Sequence, residues 1–315
     1  MEKKIAKQPT LSVIVPITER YDSVKELFYE YKTGIEATGL SYEIIYVLDG
    51  DHAAVLEDLT QLQDSEKLTI ITLARQFGEA TALNAAFSTA VGSLLLTLPA
   101  YWQIQASEIP ALVTALKECD MALARRWPRN DSAINRLQTR AFNFILRSFS
   151  SLKIHDAGCS ARAFKRAVIE EVQLYGDLHR FFPIIAHRQG FKVIEIDIAQ
   201  SSKEAFRRFY SPGQYVRRLL DMLTIFFLVK FTKKPLRFFG LVGSGLTGLG
   251  LAATLYLIIE RLFFDVALAD RPALVLSSLL IVLGIQVIAI GLIGEIIIFT
   301  HARDLKEYRI DRIIN

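Results

Sequence analysis

The chain lacks most of what would place it in several familiar classes. Only two cysteines, Cys119 and Cys159, occur in 315 residues, and neither sits at a metal-ligand spacing. A disulfide scaffold and a cysteine-held zinc site are therefore excluded, and a reduced compartment is expected. The five histidines form no ligand pattern. No Gly-x-Gly-x-x-Gly follows the first strand-like run and no Gly-Lys-Ser occurs, which argues against a Rossmann dehydrogenase or a P-loop enzyme. The opening MEKKIAKQPT has no apolar core of the signal-peptide kind, so the N-terminal region is expected to stay in the cytoplasm.

Charge is missing from two long stretches. Residues 238–259 (FFGLVGSGLTGLGLAATLYLII) and 272–294 (PALVLSSLLIVLGIQVIAIGLIG) contain none. Each is long enough to cross a hydrocarbon core of roughly 30 Å. They account for a mean hydropathy of +0.29, high for a soluble enzyme. Between them, ERLFFDVALADR has three acids and two bases, whereas Lys203 to Lys234 carries eight Lys/Arg against two acids. Arg303, Lys306, Arg309 and Arg312 follow the second run. The positive-inside rule puts both basic flanks in the cytoplasm. The net charge of +4 gathers at this collar, so it implies attraction to anionic lipid and no nucleic-acid footprint.

What remains reads as an α/β domain. LSVIVP (11–16), EIIYVL (43–48), LTIITL (68–73) and SLLLTL (93–98) are short apolar runs expected to be strands buried on both faces of a parallel sheet. CDMALA (119–124) and FKVIEIDI (191–198) are further strands, and helical patterns fill 22–38 and 78–91. HDAGCSARAFKR (155–166) reads as a loop entering a helix with Asp156 near its N-terminus. Residues 132–150 are expected to be helical, with Arg136, Arg140 and Arg147 spaced to share a face, and 213–231 show the pattern of an amphipathic helix suited to a membrane interface. The expected domains are 1–200 (α/β), 201–235 (basic loop and interfacial helix), 236–300 (two-helix transmembrane hairpin) and 301–315 (cytoplasmic tail). In such sheets the chemistry lies just past the strand ends. Those positions are Pro16 to Glu19, Asp49-Gly50-Asp51, Ala74 to Gly78, Pro99-Ala100-Tyr101 and Arg125-Arg126.

Five segments, in order, resemble one family. LSVIVP, YEIIYVLDG (42–50), LARQFGEATALNAAFSTAVG (73–92), HDAGCSARAFKRAVIEEV and GLIGEIIIFTHARDLKEYRI (291–310) are similar to the family 2 inverting glycosyltransferases of GT-A fold. The closer likeness is to the polyisoprenyl-phosphate group, which includes dolichol-phosphate mannose synthase and bactoprenol glucosyltransferase. The resemblance covers nearly the whole chain and implies a GT-A (Rossmann-like) domain, a juxtamembrane helix and two spans. It implies a nucleotide-sugar donor and a polyprenyl phosphate acceptor at the cytoplasmic face of the plasma or inner membrane. A homo-oligomer, or a pair with a homologous membrane glycosyltransferase, is expected.

The departures are specific. Thr18-Glu19-Arg20 stands where the family has Tyr-Asn-Glu, and Leu48-Asp49-Gly50-Asp51 where it has Asp-Asp-Gly-Ser. Pro99-Ala100-Tyr101-Trp102-Gln103 stands for Asp-Ala-Asp-Leu-Gln, with Gln103 and Glu108-Ile109-Pro110 keeping the frame. In the family, Asp-x-Asp holds Mg²⁺ or Mn²⁺ on the donor diphosphate. Both ions prefer hard carboxylate oxygens, so Pro99 and Tyr101 remove the usual metal site and leave Asp49 and Asp51 as the nearest carboxylates.

The candidate residues follow. Pro16, Asp49, Arg75, Phe77, Gly78 and Gln103 are assigned to the nucleotide-sugar, and Asp156 and Arg125 to catalysis. Arg126, Arg162, Arg208 and Tyr215 are assigned to the acceptor phosphate, because guanidinium forks suit phosphate. Two outcomes stay open: an active transferase with altered or absent metal, or an inactive relative that binds lipid phosphate or partners an active enzyme. In the first span, Gly240, Ser244, Gly248 and Ala252 form a small-residue stripe expected to pack closely, on the second span or on another subunit. Glu295 is expected to pair with Arg237.

Overall fold

A computed structural model describes residues 8–128, 152, 154–172, 181–204, 235–264 and 272–301. Those residues fall into two compact units, one holding 8–204 and the other holding the two long C-terminal helices. The predicted helices at 132–150 and 213–231 lie outside the described residues, as do the basic tail and most of the 203–234 collar.

The first unit is built on a seven-stranded sheet. In chain order the strands are β1 (Leu11–Ile17), β2 (Tyr42–Asp49), β3 (Leu68–Leu73), β4 (Leu94–Thr97), β5 (Met121–Arg126), β6 (Arg162–Lys165) and β7 (Val193–Ile198). Their order in space is β3-β2-β1-β4-β6-β5-β7. All seven residues of β1 are buried, because β1 is central and covered on both faces. β3 differs from expectation: as an edge strand it buries only Leu68 fully.

The sheet is also mixed. β6 runs antiparallel to both β4 and β5, so AGCSARAFKR leads into a strand, and Asp156 caps no helix. Four residues are too few to give a strand period. Phe164 anchors β6 in the core through edge-to-face contacts with Phe87 and Phe182, at centroid distances of 5.7 and 5.2 Å.

Three helices connect the parallel half: α1 (Val24–Glu36), α2 (Ala53–Gln63) and α3 (Glu79–Thr89). α1 buries Val24, Leu27, Phe28, Tyr31 and Ile35, the i, i+3, i+4, i+7 stripe of a helix lying on a sheet. α4 (Ile109–Ala115), α5 (Arg166–Glu171) and α6 (Phe182–Arg188) are its further α-helices among the described residues.

The second unit is a pair of 30-residue helices, α7 (Pro235–Phe264) and α8 (Pro272–His301). Each is about 45 Å long at 1.5 Å per residue, and both are long and apolar enough to cross a membrane. Their outer faces leave Leu241, Leu262, Phe263 and Val275 exposed by 68% or more, a surface that lipid covers better than water.

The two helices meet through glycine. A Cβ on Gly243 would lie 2.5 Å from the Gly284 carbonyl oxygen, and one on Gly250 would lie 2.8 Å from that of Ser277. Thr254 Oγ1 and Ser277 Oγ share a 3.0 Å hydrogen bond across this seam. The predicted stripe is therefore not the seam: Ser244, Gly248 and Ala252 are exposed, and a Cβ on Gly248 would meet nothing within 4 Å. Glu295 also differs from expectation. Its Oε2 accepts the Leu236 backbone N–H at 3.3 Å, capping the first turn of α7, while Arg237 is exposed.

Candidate active site

The crevice follows from topology. β1, β2 and β3 succeed one another outward, and β4 then pairs with the other side of β1. The strand order reverses between β1 and β4, where ligands bind in open α/β sheets. The β1–β4 ladder ends at Ile14 opposite Thr97, with Leu98 N–H reaching back to the Ile14 carbonyl. Pro16 lies two residues beyond Ile14, so its missing N–H falls where the strands have already parted. Pro16 is thereby tolerated in a central strand. It is buried.

The loops after β1 and β4 are tied together. Asp22 N–H donates to the Ala100 carbonyl at 2.9 Å, and Asp22 Oδ2 accepts Trp102 N–H at 3.0 Å. Tyr31 Oη donates to the carbonyls of Pro99 (3.0 Å) and Tyr101 (3.3 Å). The Arg20 guanidinium carbon lies 3.6 Å from the centre of the Tyr101 ring. Trp102 Nε1 donates to Glu30 at 3.0 Å, and Lys203, 4.9 Å from the Trp102 ring centre, donates to the same Glu30 oxygen.

The residues here do not fit a divalent ion. Pro99 offers no side-chain ligand. Burial pushes the Tyr101 hydroxyl up to about 12 against the opposing Arg20 charge, so it stays a neutral phenol, and it accepts from Gln103 Nε2 at 3.1 Å. Asp49 is buried, with one oxygen accepting Phe77 N–H (2.7 Å) and the other Gly78 N–H (2.9 Å). Asp51 is exposed. Among the described residues no three His, Cys, Asp or Glu side chains gather at one point.

Asp49 instead fixes the turn into α3. Gly78 begins that helix at φ +97°, a conformation that suits glycine alone, and Asp49 clamps the two amides there. Arg75 and Phe77, both exposed and stacked at 4.9 Å, project from this turn.

The far side of the crevice is a buried charge network. Arg126 Nε and Nη2 grip the two Asp156 oxygens at 2.7 and 3.0 Å, and Nη1 reaches Glu204 at 3.1 Å. Burial opposes the Arg126 charge, but the hydrogen bond and attraction of Asp156 prevail and raise its pKa well above the usual value. Glu195 holds the loop itself, accepting the backbone N–H groups of His155 and Asp156. Gln103 is 1% exposed; its Oε1 accepts Ser160 N–H at 2.9 Å and its Nε2 donates to the Gly158 carbonyl at 3.3 Å. Arg125, by contrast, keeps 27% of its side chain exposed, paired with Asp197 at 3.3 Å and set against the Trp127 ring.

Several sequence expectations change accordingly. Asp156 is a partner of Arg126 rather than an open carboxylate. Arg126 is enclosed by two carboxylates, Asp156 and Glu204. Gln103 joins two loops from inside. Arg162 is buried, with Nη2 on the Cys159 carbonyl. Arg208 and Tyr215 lie outside the described residues. Sequence reasoning missed Tyr31, Glu195 and Glu204, whose partners are 39 to 78 positions away. Arg20 was visible only as a departure after β1.

The sequence profile described as "Glycosyl transferase family 2" matches residues 12–173, from the start of β1 to just past α5. The chain belongs to glycosyl transferase family 2. Relatives similar over most of the chain include the dodecaprenyl-phosphate galacturonate synthase of Rhizobium johnstonii, 28% identical over 93% of this chain and 89% of that protein. The undecaprenyl-phosphate 4-deoxy-4-formamido-L-arabinose transferase of Proteus mirabilis is 30% identical over 96% and 94%. Among solved structures, the glucosyl-3-phosphoglycerate synthase of Mycobacterium tuberculosis with UDP shares the fold, at a TM-score of 0.53, 10% identity, and 70% and 79% coverage. The same synthase has been solved with Mn²⁺ and UDP, at a TM-score of 0.50, 10% identity, and 69% and 78% coverage. A divalent ion thus has a precedent in this fold, while the Pro99–Tyr101 loop of this family 2 chain departs from any carboxylate donor set.

Proposed function

We propose that the chain transfers a sugar from a nucleotide-sugar to a polyprenyl phosphate at the cytoplasmic face of a membrane. The observation that carries this reading is similarity running through 93–96% of the chain, both apolar helices included, to transferases named for dodecaprenyl and undecaprenyl phosphate. In the reaction, an oxygen of the acceptor phosphate attacks the anomeric carbon. The bond from that carbon to the donor diphosphate breaks, and its electron pair leaves with the nucleoside diphosphate. An ionised phosphate has no proton to give up, so no general base is needed. Asp156 then serves as a positioning residue through Arg126.

Roles follow from location. The Asp49-clamped turn offers Phe77 and Arg75 to the nucleotide. Arg125, partly exposed at the rim, is assigned to the acceptor phosphate; Arg162, Arg208 and Tyr215 are assigned to it from the family resemblance. The basic flanks of the apolar helices support the cytoplasmic placement. The test is purified full-length chain in nanodiscs with undecaprenyl phosphate and a panel of UDP- and GDP-sugars, with the lipid product read by mass spectrometry. A glycosylated lipid is expected; absence of product with every donor, with EDTA and with Mn²⁺, rejects transfer. The carboxylate-free Pro99–Tyr101 loop favours a second reading, a non-catalytic binder of lipid phosphate, which any product rejects.

A further inference from the structure

The apolar run 272–294 holds three polar side chains, Ser277, Ser278 and Gln286. The hairpin accounts for two of them. Ser277 is buried on the seam with Thr254, and Ser278 Oγ donates to the Val275 carbonyl of its own helix at 2.9 Å. Gln286 differs: it is exposed, and its amide makes no hydrogen bond among the described residues. Gly284 faces α7, and two positions further on a side chain has turned about 200° around the helix, so Gln286 points away from α7. It also stands at the middle of α8, about 21 Å from either end at 1.5 Å per residue, too far for its side chain to reach water. A primary amide left unpaired in hydrocarbon is costly.

A second copy of the chain supplies the missing partner. Copies inserted the same way, and related by a twofold axis along the membrane normal, present residue 286 at the same depth. An amide both donates and accepts, so two of them satisfy each other through reciprocal N–H···O bonds. The surrounding face suits a second helix. Leu279, Val282, Gln286, Ala289 and Ile293 recur at alternating steps of three and four residues, the spacing of a two-helix seam. All five are exposed, Leu279, Val282 and Ile293 by 61, 52 and 58%.

We infer that the Gln286 face of α8 is the contact between two copies of the chain within the membrane, with the two Gln286 amides hydrogen-bonded to each other. The inference rests on α8 crossing a membrane and not on sugar transfer.

The experiment follows energy transfer between donor- and acceptor-labelled copies of the full-length chain in phosphatidylcholine vesicles, at falling protein-to-lipid ratio. Gln286→Leu, which removes the amide from an otherwise apolar face, should need about tenfold more protein per lipid to associate, and Gln286→Asn should recover part of the loss. Gln286→Cys should give a disulfide-linked pair under mild oxidation, where the wild-type chain, with Cys119 and Cys159 buried, should not. Thermal melting separates lost association from misfolding; a Gln286→Leu chain that does not melt cooperatively is replaced by Gln286→Val. Wild-type chain that is monomeric at every ratio overturns the inference, as does Gln286→Leu associating as tightly as wild type. Weakened association without a cross-link through Gln286→Cys overturns the direct amide pair. Wild-type chain that does not float with the vesicles removes the membrane reading and the inference together. Transfer is decided separately, by the lipid product.

Discussion

The two walls of the crevice each carry a guanidinium, and they treat it oppositely. On the far wall, Arg126 is buried between Asp156 and Glu204, with bonds of 2.7 to 3.1 Å. On the near wall, Arg20 is partly exposed against a phenol ring. A buried cation surrounded by carboxylates is committed to architecture, because removing either partner strands a charge in low dielectric. A cation laid on a neutral ring at a loop tip is held by stacking and stays in reach of solvent. The contrast separates a guanidinium enclosed by carboxylates from one stacked on a ring, although both stand within a few residues of a strand end.

The contrast can be broken at graded depth. Asp156→Ala should cost about 3–5 kcal/mol, the range for breaking a buried ion pair, and lower the melting temperature by about 10 °C. An unchanged melt would mean the far wall is not structural. In the hairpin, Gly284→Ala should cost about 1–3 kcal/mol by overpacking, since its Cβ would run into Thr247 Oγ1 and the Gly243 carbonyl. Gly248→Ala, on the open face, should leave the melt within error; equal effects would refute the seam. Gln103→Leu should cost about 1–3 kcal/mol by stripping the partners of Ser160 and Gly158.

Tyr101→Phe should cost no more than about 1 kcal/mol, losing only the Gln103 contact and keeping the ring under Arg20. It should also alter behaviour at high pH. The Tyr101 hydroxyl sits near 12 in the folded chain and near 10 in the unfolded one. Its stabilising effect is whole below pH 10 and is lost as pH rises through 12, because the unfolded chain gives up its proton first. The variant should flatten that loss in pH-dependent melts; buried Tyr31 and Tyr46, also raised, leave the remainder. The smallest effect concerns Cys159, whose thiol burial pushes up to about 12. At pH 8 it should resist thiol reagents until the chain is unfolded.

Much of this was legible in the sequence, for definite reasons. Strands β1, β2 and β4 announce themselves as apolar runs because they are covered on both faces, and Gln103 with Glu108-Ile109-Pro110 locates Pro99 and Tyr101 at the end of β4. β6 was hidden because RAFK has no period to read, and its role comes from Phe164 meeting Phe87 and Phe182. The direction of a polar side chain was equally hidden. Gln103 and Asp156 stand at the strand ends where ligand contacts belong, and only their partners, 30 to 57 residues away, turn them inward. In α7 the glycines permit more than one stripe, and the choice is made by Gly284 on the other helix.

Tyr31 carries a consequence of its own. By donating to the carbonyls of Pro99 and Tyr101 from the middle of α1, it gives the loop its shape before any ligand arrives. A loop ordered by ion binding loses its conformational entropy at that moment, and the loss is subtracted from affinity. Here the ordering is completed during folding, when the core positions Tyr31. Ligand binding at this crevice should then carry no cost for ordering the 99–101 loop, and the enthalpy of binding should contain no contribution from loop closure.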